Sequence, residues 1–107
     1  MAEYKTVLQK IRHHRGDFSE VFFDWMTIFN FQVFQHFEDQ SRKTWEAGFR
    51  RYSARTILGY MRHETNVREQ NSTWKLNNNL TADFARLYLL LHPEHKGFFE
   101  LRGRKSA

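Results

Sequence analysis

Two amphipathic segments in the second half of the chain, separated by a polar insert, set the strongest limit on the fold. Residues 54–64 and 80–91 carry apolar side chains at helical spacing, and each segment follows residues that favour a helix N-terminus: Ser53, and the Asn residues at 77–79. Residues 66–79 lose this periodicity. Capped helices with basic residues around them are typical of small helix-turn-helix modules, and equally of basic helical modules that bind proteins.

The first half contains patterns for two helices. The first is predicted from one apolar stripe, which consists of Tyr4, Val7, Leu8 and Ile11. Gly16 is expected to be its C-terminal cap. The second helix is predicted to begin at Asp17, because Asp17 and Glu20 have the spacing of a capping box, and to end before Asn30.

A third helix is predicted over about 31–47, with Gly48 ending it, and Pro93 is expected to stop the fifth. Residues 74–76 and 98–101 have the composition of two short strands that could pair as a wing. We therefore predict one mainly α domain over residues 1–107, with about five helices and a small two-stranded wing. Its parts are N-terminal helices (1–29), a helix-turn-helix or winged-helix-like core (30–101) and a basic tail (102–107).

The composition excludes several classes of protein. The 107 residues include no Cys, so there is no disulfide and no thiolate metal ligand or nucleophile. The first residues are charged and periodic, unlike a signal peptide, and no run approaches the roughly 18 apolar residues of a membrane span. We expect a cytoplasmic protein without membrane contact.

The charge is segregated along the chain. Residues 17–40 contain five acids and no Lys or Arg, whereas residues 42–68 contain seven cations and two acids, a net charge of +5. A separated basic segment attracts polyanions or acidic protein surfaces. A solvated face that merely keeps the protein soluble would have the same composition.

The basic turn before the fourth helix is the leading candidate site for nucleic acid. Arg50, Arg51, Arg55 and Arg62 are expected to hold phosphates, while Ser53 marks a helix N-terminus that can receive a phosphate. Capping by Ser53 needs no ligand, so its presence alone does not decide between these interpretations.

Lys75 and Asn77 form a second candidate region, at the expected wing. An Asn side chain can contact adenine through two hydrogen bonds, and the adjacent Trp74 can stack on an unpaired base. In the alternative interpretation Trp74 packs under the hairpin and the Asn side chains cap the fifth helix.

We expect no metal site, cofactor or enzymatic activity. His92 and His95 have ligand-like spacing, but Pro93 between them is expected to break the helix that would place both on one face. Ser53, His63 and Glu64 can be assembled into a triad only arbitrarily, and the chain has no glycine-rich phosphate loop.

The segment 17–39 is rich in phenylalanine and suggests a different kind of surface. It holds seven of the eleven Phe residues, more than one helix face can bury in a small domain. The surplus is a candidate interface for a partner or for a second copy of the chain, made by Phe22, Phe23, Trp25 and Phe29. The alternative is a core dense in Phe.

Residues 30–106 resemble a family of small uncharacterised phage and prophage proteins. The resemblance rests on the RYSAR turn at 51–55, RHET at 62–65, KLNNN at 75–79, FARL at 84–87 and HPEHKGFF at 92–99. It implies a mobile-element origin and a compact helical fold similar to a winged helix, and it carries no functional residues.

These observations lead to two hypotheses. The first is a non-enzymatic phage-type protein whose basic patch binds the phosphates of nucleic acid, with DNA preferred, and which can form a homodimer. The second is a phage-encoded inhibitor or adaptor that binds a host protein or nucleoprotein complex, for example in defence evasion.

Overall fold

Every regular element of the described chain is helical. The structure is a computed structural model that describes residues 3–27, 30–68 and 78–100, with the backbone alone at 62, 64–68 and 78–79. The α-helices are α1 (Tyr4–His13), α2 (Glu20–Trp25), α3 (Phe31–Glu46), α4 (Ala54–Arg68) and α5 (Asn78–Leu91), and short 3-10 helices span Arg15–Asp17 and Pro93–His95. None of the described helices is both long enough and apolar enough to cross a membrane.

The end of α1 differs from the prediction. Val7 and Ile11 of its apolar stripe are fully buried, as expected. Its C-terminal cap, however, is His14, whose backbone N–H donates to the carbonyls of Lys10 and Ile11. Gly16 lies within the following 3-10 helix, so the predicted cap is wrong.

The second helix is shorter than predicted and begins later. Its N-terminal cap is Ser19, whose hydroxyl accepts a hydrogen bond from the Phe22 N–H at 3.1 Å. Asp17 is part of the 3-10 helix before it, so the predicted capping box is wrong. The helix ends at Trp25, and a short non-helical stretch containing Met26 and Thr27 follows.

The remaining helices follow the sequence closely. α3 ends as expected before Gly48, whose φ of 106° lies in the region that favours glycine. Ser53 precedes α4, and its hydroxyl accepts from the Thr56 N–H at 3.3 Å. α4 extends to Arg68 and α5 begins at Asn78, each somewhat beyond its predicted bound.

The core is built around α5, which packs against the other four helices. Phe84 on this helix is fully buried and lies with its ring centroid 5.2–5.7 Å from four other aromatic rings, those of Phe22, Trp25, Phe34 and Phe37. One turn later, Tyr88 packs against Phe98 and Phe99. Most of the domain's aromatic residues therefore form one continuous cluster.

The predicted two-stranded wing is not observed in the described part of the chain. Phe99 forms a single parallel bridge with Tyr52, and the Tyr52 N–H donates to the Phe98 carbonyl at 2.8 Å. Both Phe side chains are buried, so this segment fills the core and does not project from it. The other expected strand, 74–76, and the tail, 102–107, lie outside the described residues.

Candidate nucleic-acid interface

An open groove of about 690 Å³ lies where the N-terminus of α4 meets α5 and the C-terminal segment. Its polar lining includes three arginines, Arg51, Arg55 and Arg86, together with Ser53 and one carboxylate, Glu100. Small side chains such as Ala82 and Ala85 and the aromatic Phe98 and Phe99 make up much of the rest. The groove is open and carries more positive than negative charge, since three arginines and one carboxylate line it.

Two of these arginines remain available to an external anion. Arg51 and Arg55 are exposed, and the guanidinium of neither has an ion-pair or hydrogen-bonding partner among the described residues. Ser53 stands between them at the start of α4, where free backbone N–H groups and the helix dipole favour an anion. The side chain of Ser53 itself is occupied as a cap.

Arg50 is directed elsewhere. Its guanidinium lies 4.0 Å above the Trp45 ring and donates to the Trp45 carbonyl at 2.8 Å. It thereby satisfies a carbonyl at the end of α3 and forms a cation–π contact. Arg50 does not line the groove, although the sequence grouped it with Arg51 and Arg55.

Part of the basic segment is neutralised within α3. Arg42 contacts Asp39 at 2.7 Å and Glu46 at 3.3 Å, and Lys43 contacts Asp39 at 3.1 Å. The hydrogen bond from Lys43, with a further one from Arg42, lowers the pKa of Asp39 below its usual value. The hydrogen bond to Asp39 in turn raises the pKa of Arg42. Arg42 and Lys43 are therefore less available to a partner than Arg51 and Arg55 are.

An exposed face of α4 continues from the groove. Arg55, Gly59 and His63 recur at intervals of four residues, and Tyr60 lies beside them with 55% of its surface exposed. Gly59 is notable because a β-carbon added there would meet no atom within 4 Å. Packing thus does not require glycine at this position.

Three predicted contact residues fall where side chains are not described. Lys75 and Asn77 lie outside the described residues, and at Arg62 only the backbone is described. Arg86 was not among the predicted site residues. Arg86 lies four residues after Ala82, on the face of α5 that points away from the buried Phe84 and Leu87. The sequence therefore marks it as an outer residue of α5, but only the fold brings it to the groove beside Arg51 and Arg55.

The phenylalanine-rich segment mostly supplies the core. Phe22 is fully buried and is unavailable to a partner in this structure, whereas Phe23 and Trp25 are partly buried. Phe29 lies outside the described residues. Of the other Phe residues in this segment, Phe18, Phe31, Phe34 and Phe37 are buried as well. The dense-core interpretation therefore explains most of the segment.

Comparison with known proteins adds no assignment. The chain matches no protein-family model, and neither curated proteins nor solved structures give a significant match.

Proposed function

We propose that the chain binds nucleic acid, preferably duplex DNA, through the groove at the start of α4. The observation that carries this proposal is the convergence of Arg51, Arg55 and Arg86 on the helix N-terminus at Ser53. Arginine side chains and helix N-termini are the groups that proteins commonly direct to phosphates.

In this proposal α3 and α4 act as the helix pair of a helix-turn-helix-like reader. The groove holds the backbone of one strand, and the exposed face of α4 meets the base edges or the sugar–phosphate surface next to it. Gly59 allows close approach there, and Tyr60 offers an exposed aromatic ring. The phage or prophage origin implied by the sequence resemblance is compatible with such a protein and remains part of the proposal.

The test is fluorescence anisotropy of labelled duplex DNA at several salt concentrations between about 50 and about 200 mM. Binding should weaken steeply with salt, because each neutralised phosphate releases counterions. In Arg51→Ala/Arg55→Ala the slope of log affinity against log salt should become shallower by about 2, since two phosphate contacts are lost.

The matched control is Arg42→Ala/Lys43→Ala. It also removes two positive charges, but at residues that are both paired with Asp39. It should leave the salt slope nearly unchanged. An equal loss of DNA affinity in the two double variants would mean that net charge alone drives binding. Labelled single-stranded RNA is measured in the same way. If neither duplex DNA nor this RNA binds at low salt, the proposal is rejected and the alternative, an inhibitor or adaptor directed at a host protein, is favoured.

A further inference from the structure

A second cluster of polar side chains lies at the end of α5, built from His92, Glu94 and His95. Glu94 Oε1 is 3.4 Å from His92 Nδ1 and 3.9 Å from His95 Nε2. One ligand-type atom from each of the three residues lies within 4.8 Å of those from the other two. Glu94 is 63% exposed, so the cluster is open to solvent on one side.

The backbone explains why these side chains meet despite Pro93. The proline does end the α-helix, but Pro93–His95 then continues as a 3-10 helix. Residues three apart lie on the same side of a 3-10 helix, so His92 and His95 are brought together. Their ring centroids are 5.5 Å apart and the rings are nearly parallel. The expectation that Pro93 would separate the two histidines is therefore wrong.

Each imidazole is fixed from behind by a buried group. Glu38 Oε2 lies 2.7 Å from His92 Nε2, and the Tyr88 hydroxyl lies 2.7 Å from His95 Nδ1. Glu38 and Tyr88 are both buried, and they belong to α3 and α5. One nitrogen of each ring is thus occupied, which leaves the other nitrogen turned toward Glu94. Metal-bound histidines in proteins are held in the same way, by a carboxylate or another polar group on the second nitrogen.

The anionic surroundings also favour a cation. Glu38 Oε1 is buried and has no hydrogen-bonding partner among the described residues. The carboxylate of Glu38 behind one ring and that of Glu94 between the two rings leave the histidines adjacent to two acids. Two neutral imidazoles with these carboxylates would balance the charge of a divalent ion.

The distances from Glu94 to the two histidines are close to those around a tetrahedral ion with nitrogen and oxygen ligands. Bonds of about 2.0–2.1 Å in a tetrahedron place neighbouring ligand atoms about 3.3–3.4 Å apart. The His92–Glu94 separation of 3.4 Å already has this value, and the 3.9 Å separation to His95 needs a small adjustment. The exposed Glu94 side chain can supply this adjustment, while the two histidine nitrogens, which lie within 4.8 Å of each other, have to approach as the ion binds. Two histidines, one carboxylate and a water form a well-known set of zinc ligands.

We propose that His92, Glu94 and His95 bind a zinc ion, with Glu38 and Tyr88 orienting the two rings and water in the fourth position. Through Glu38, which bonds to His92, the bound ion links the turn at 92–95 to α3. His95 also stacks on Trp45, with 4.1 Å between the ring centroids, so the ion is linked to this second residue of α3 as well. None of these residues lines the arginine-lined groove, so the zinc proposal does not depend on nucleic-acid binding.

The experiment uses the full chain without an affinity tag, stripped of metal with a chelator that is then removed. Isothermal titration with Zn²⁺ should give one site per chain, and Co²⁺ should give the visible absorption of a tetrahedral complex. At a free Zn²⁺ concentration about 100 times the Kd, Tm should rise by about 10 °C. An absence of stoichiometric binding by the wild-type chain would overturn the proposal.

Variants locate the ion. Glu94→Gln changes an exposed side chain, so it should fold normally and yet weaken Zn²⁺ binding at least about tenfold, as losses at metal sites commonly do. Tyr88→Phe removes only the hydroxyl behind His95 and should weaken binding by about 10–100-fold. The control is His14→Gln, at an exposed histidine outside the cluster that also lies near a carboxylate, 3.7 Å from Asp17; this variant should bind Zn²⁺ as the wild type does. Wild-type affinity in Glu94→Gln, or loss of binding in His14→Gln, would contradict the proposed site.

Discussion

Ser19 and Asp83 connect the start of α2 to the middle of α5. Asp83 is buried and accepts two hydrogen bonds from Ser19, one from the backbone N–H at 3.1 Å and one from the hydroxyl at 2.7 Å. The same hydroxyl accepts from the Phe22 N–H, so it both caps α2 and satisfies a buried carboxylate. A hydrogen bond to a buried carboxylate is costly to remove because the oxygen that accepted it cannot readily bond to water instead.

Ser19→Ala should therefore cost more than the loss of an ordinary helix cap. We expect the free energy of unfolding to fall by about 2–3 kcal/mol, of which about 1 kcal/mol reflects the cap itself. The control is Ser53→Ala, since Ser53 caps α4 but is exposed; it should cost about 1 kcal/mol. Urea denaturation of both variants measures the difference, and equal losses would mean that the bond to Asp83 adds no stability.

The sequence predicts the later helices well because their ends are determined locally. Gly48 can adopt the left-handed backbone that ends α3, Ser53 supplies an oxygen to the first turn of α4, and Pro93 cannot continue α5. Each of these effects acts within a few residues, so its signal is present in the local pattern.

The errors arise where a distant residue decides the outcome. The capping box at Asp17 has suitable spacing, but Ser19 becomes the cap because it bonds to Asp83, 64 residues away. Phe98 and Phe99 have strand-like composition, yet both are buried in the core beside Tyr88. No periodicity in the sequence reports these contacts.

The candidate sites show the same division. The pair Arg51 and Arg55 was predictable, because both flank the start of one helix. Arg86 was not, since it reaches the groove from another helix. For the histidine cluster, the spacing of His92 and His95 was visible, but the buried Glu38 and Tyr88 behind them became apparent only from the fold.

Phe22 distinguishes a core from an interface in the phenylalanine-rich segment. Because its ring is fully buried against Phe84, Phe22→Ala should lower the free energy of unfolding by about 3–5 kcal/mol. Val21 on the same helix is 55% exposed, and Val21→Ala should change it by less than about 0.5 kcal/mol. Chemical denaturation compares them. A small effect of Phe22→Ala would restore the interface interpretation for this residue.

The ion pairs of Asp39 predict a small pH-dependent contribution to stability. Hydrogen bonds from Lys43 and Arg42 lower the pKa of Asp39 in the folded chain. The stabilisation is therefore complete above the pKa of Asp39 in the unfolded chain, about 3.9, and is lost as the pH falls through the lower folded value. Asp39→Asn should cost about 0.5 kcal/mol at neutral pH and low salt, because these pairs lie on a helix surface.

Urea denaturation of wild type and Asp39→Asn at neutral and acidic pH measures this contribution. The difference between them should shrink toward zero in acid and in high salt. A difference that persists in acid would show that Asp39 contributes through packing and not through its charge. The result also matters for the DNA-binding control, since it tests whether Arg42 and Lys43 are engaged within α3.

A substitution at Gly59 is expected to affect stability and DNA binding in opposite directions. It lies within α4 on the exposed face, and an added β-carbon would meet nothing within 4 Å. Gly59→Ala should therefore raise the free energy of unfolding by about 0.5–1 kcal/mol, because alanine restricts the unfolded chain and favours the helix.

If DNA lies against this face, the added methyl group should weaken binding while leaving the salt slope unchanged, since no charge is removed. Gly16→Ala, at another exposed glycine with open space around it, is the control and should not alter binding. Urea denaturation and anisotropy together test both effects, and a Gly59→Ala variant that is more stable and binds DNA as tightly as the wild type would exclude this face of α4 from the interface.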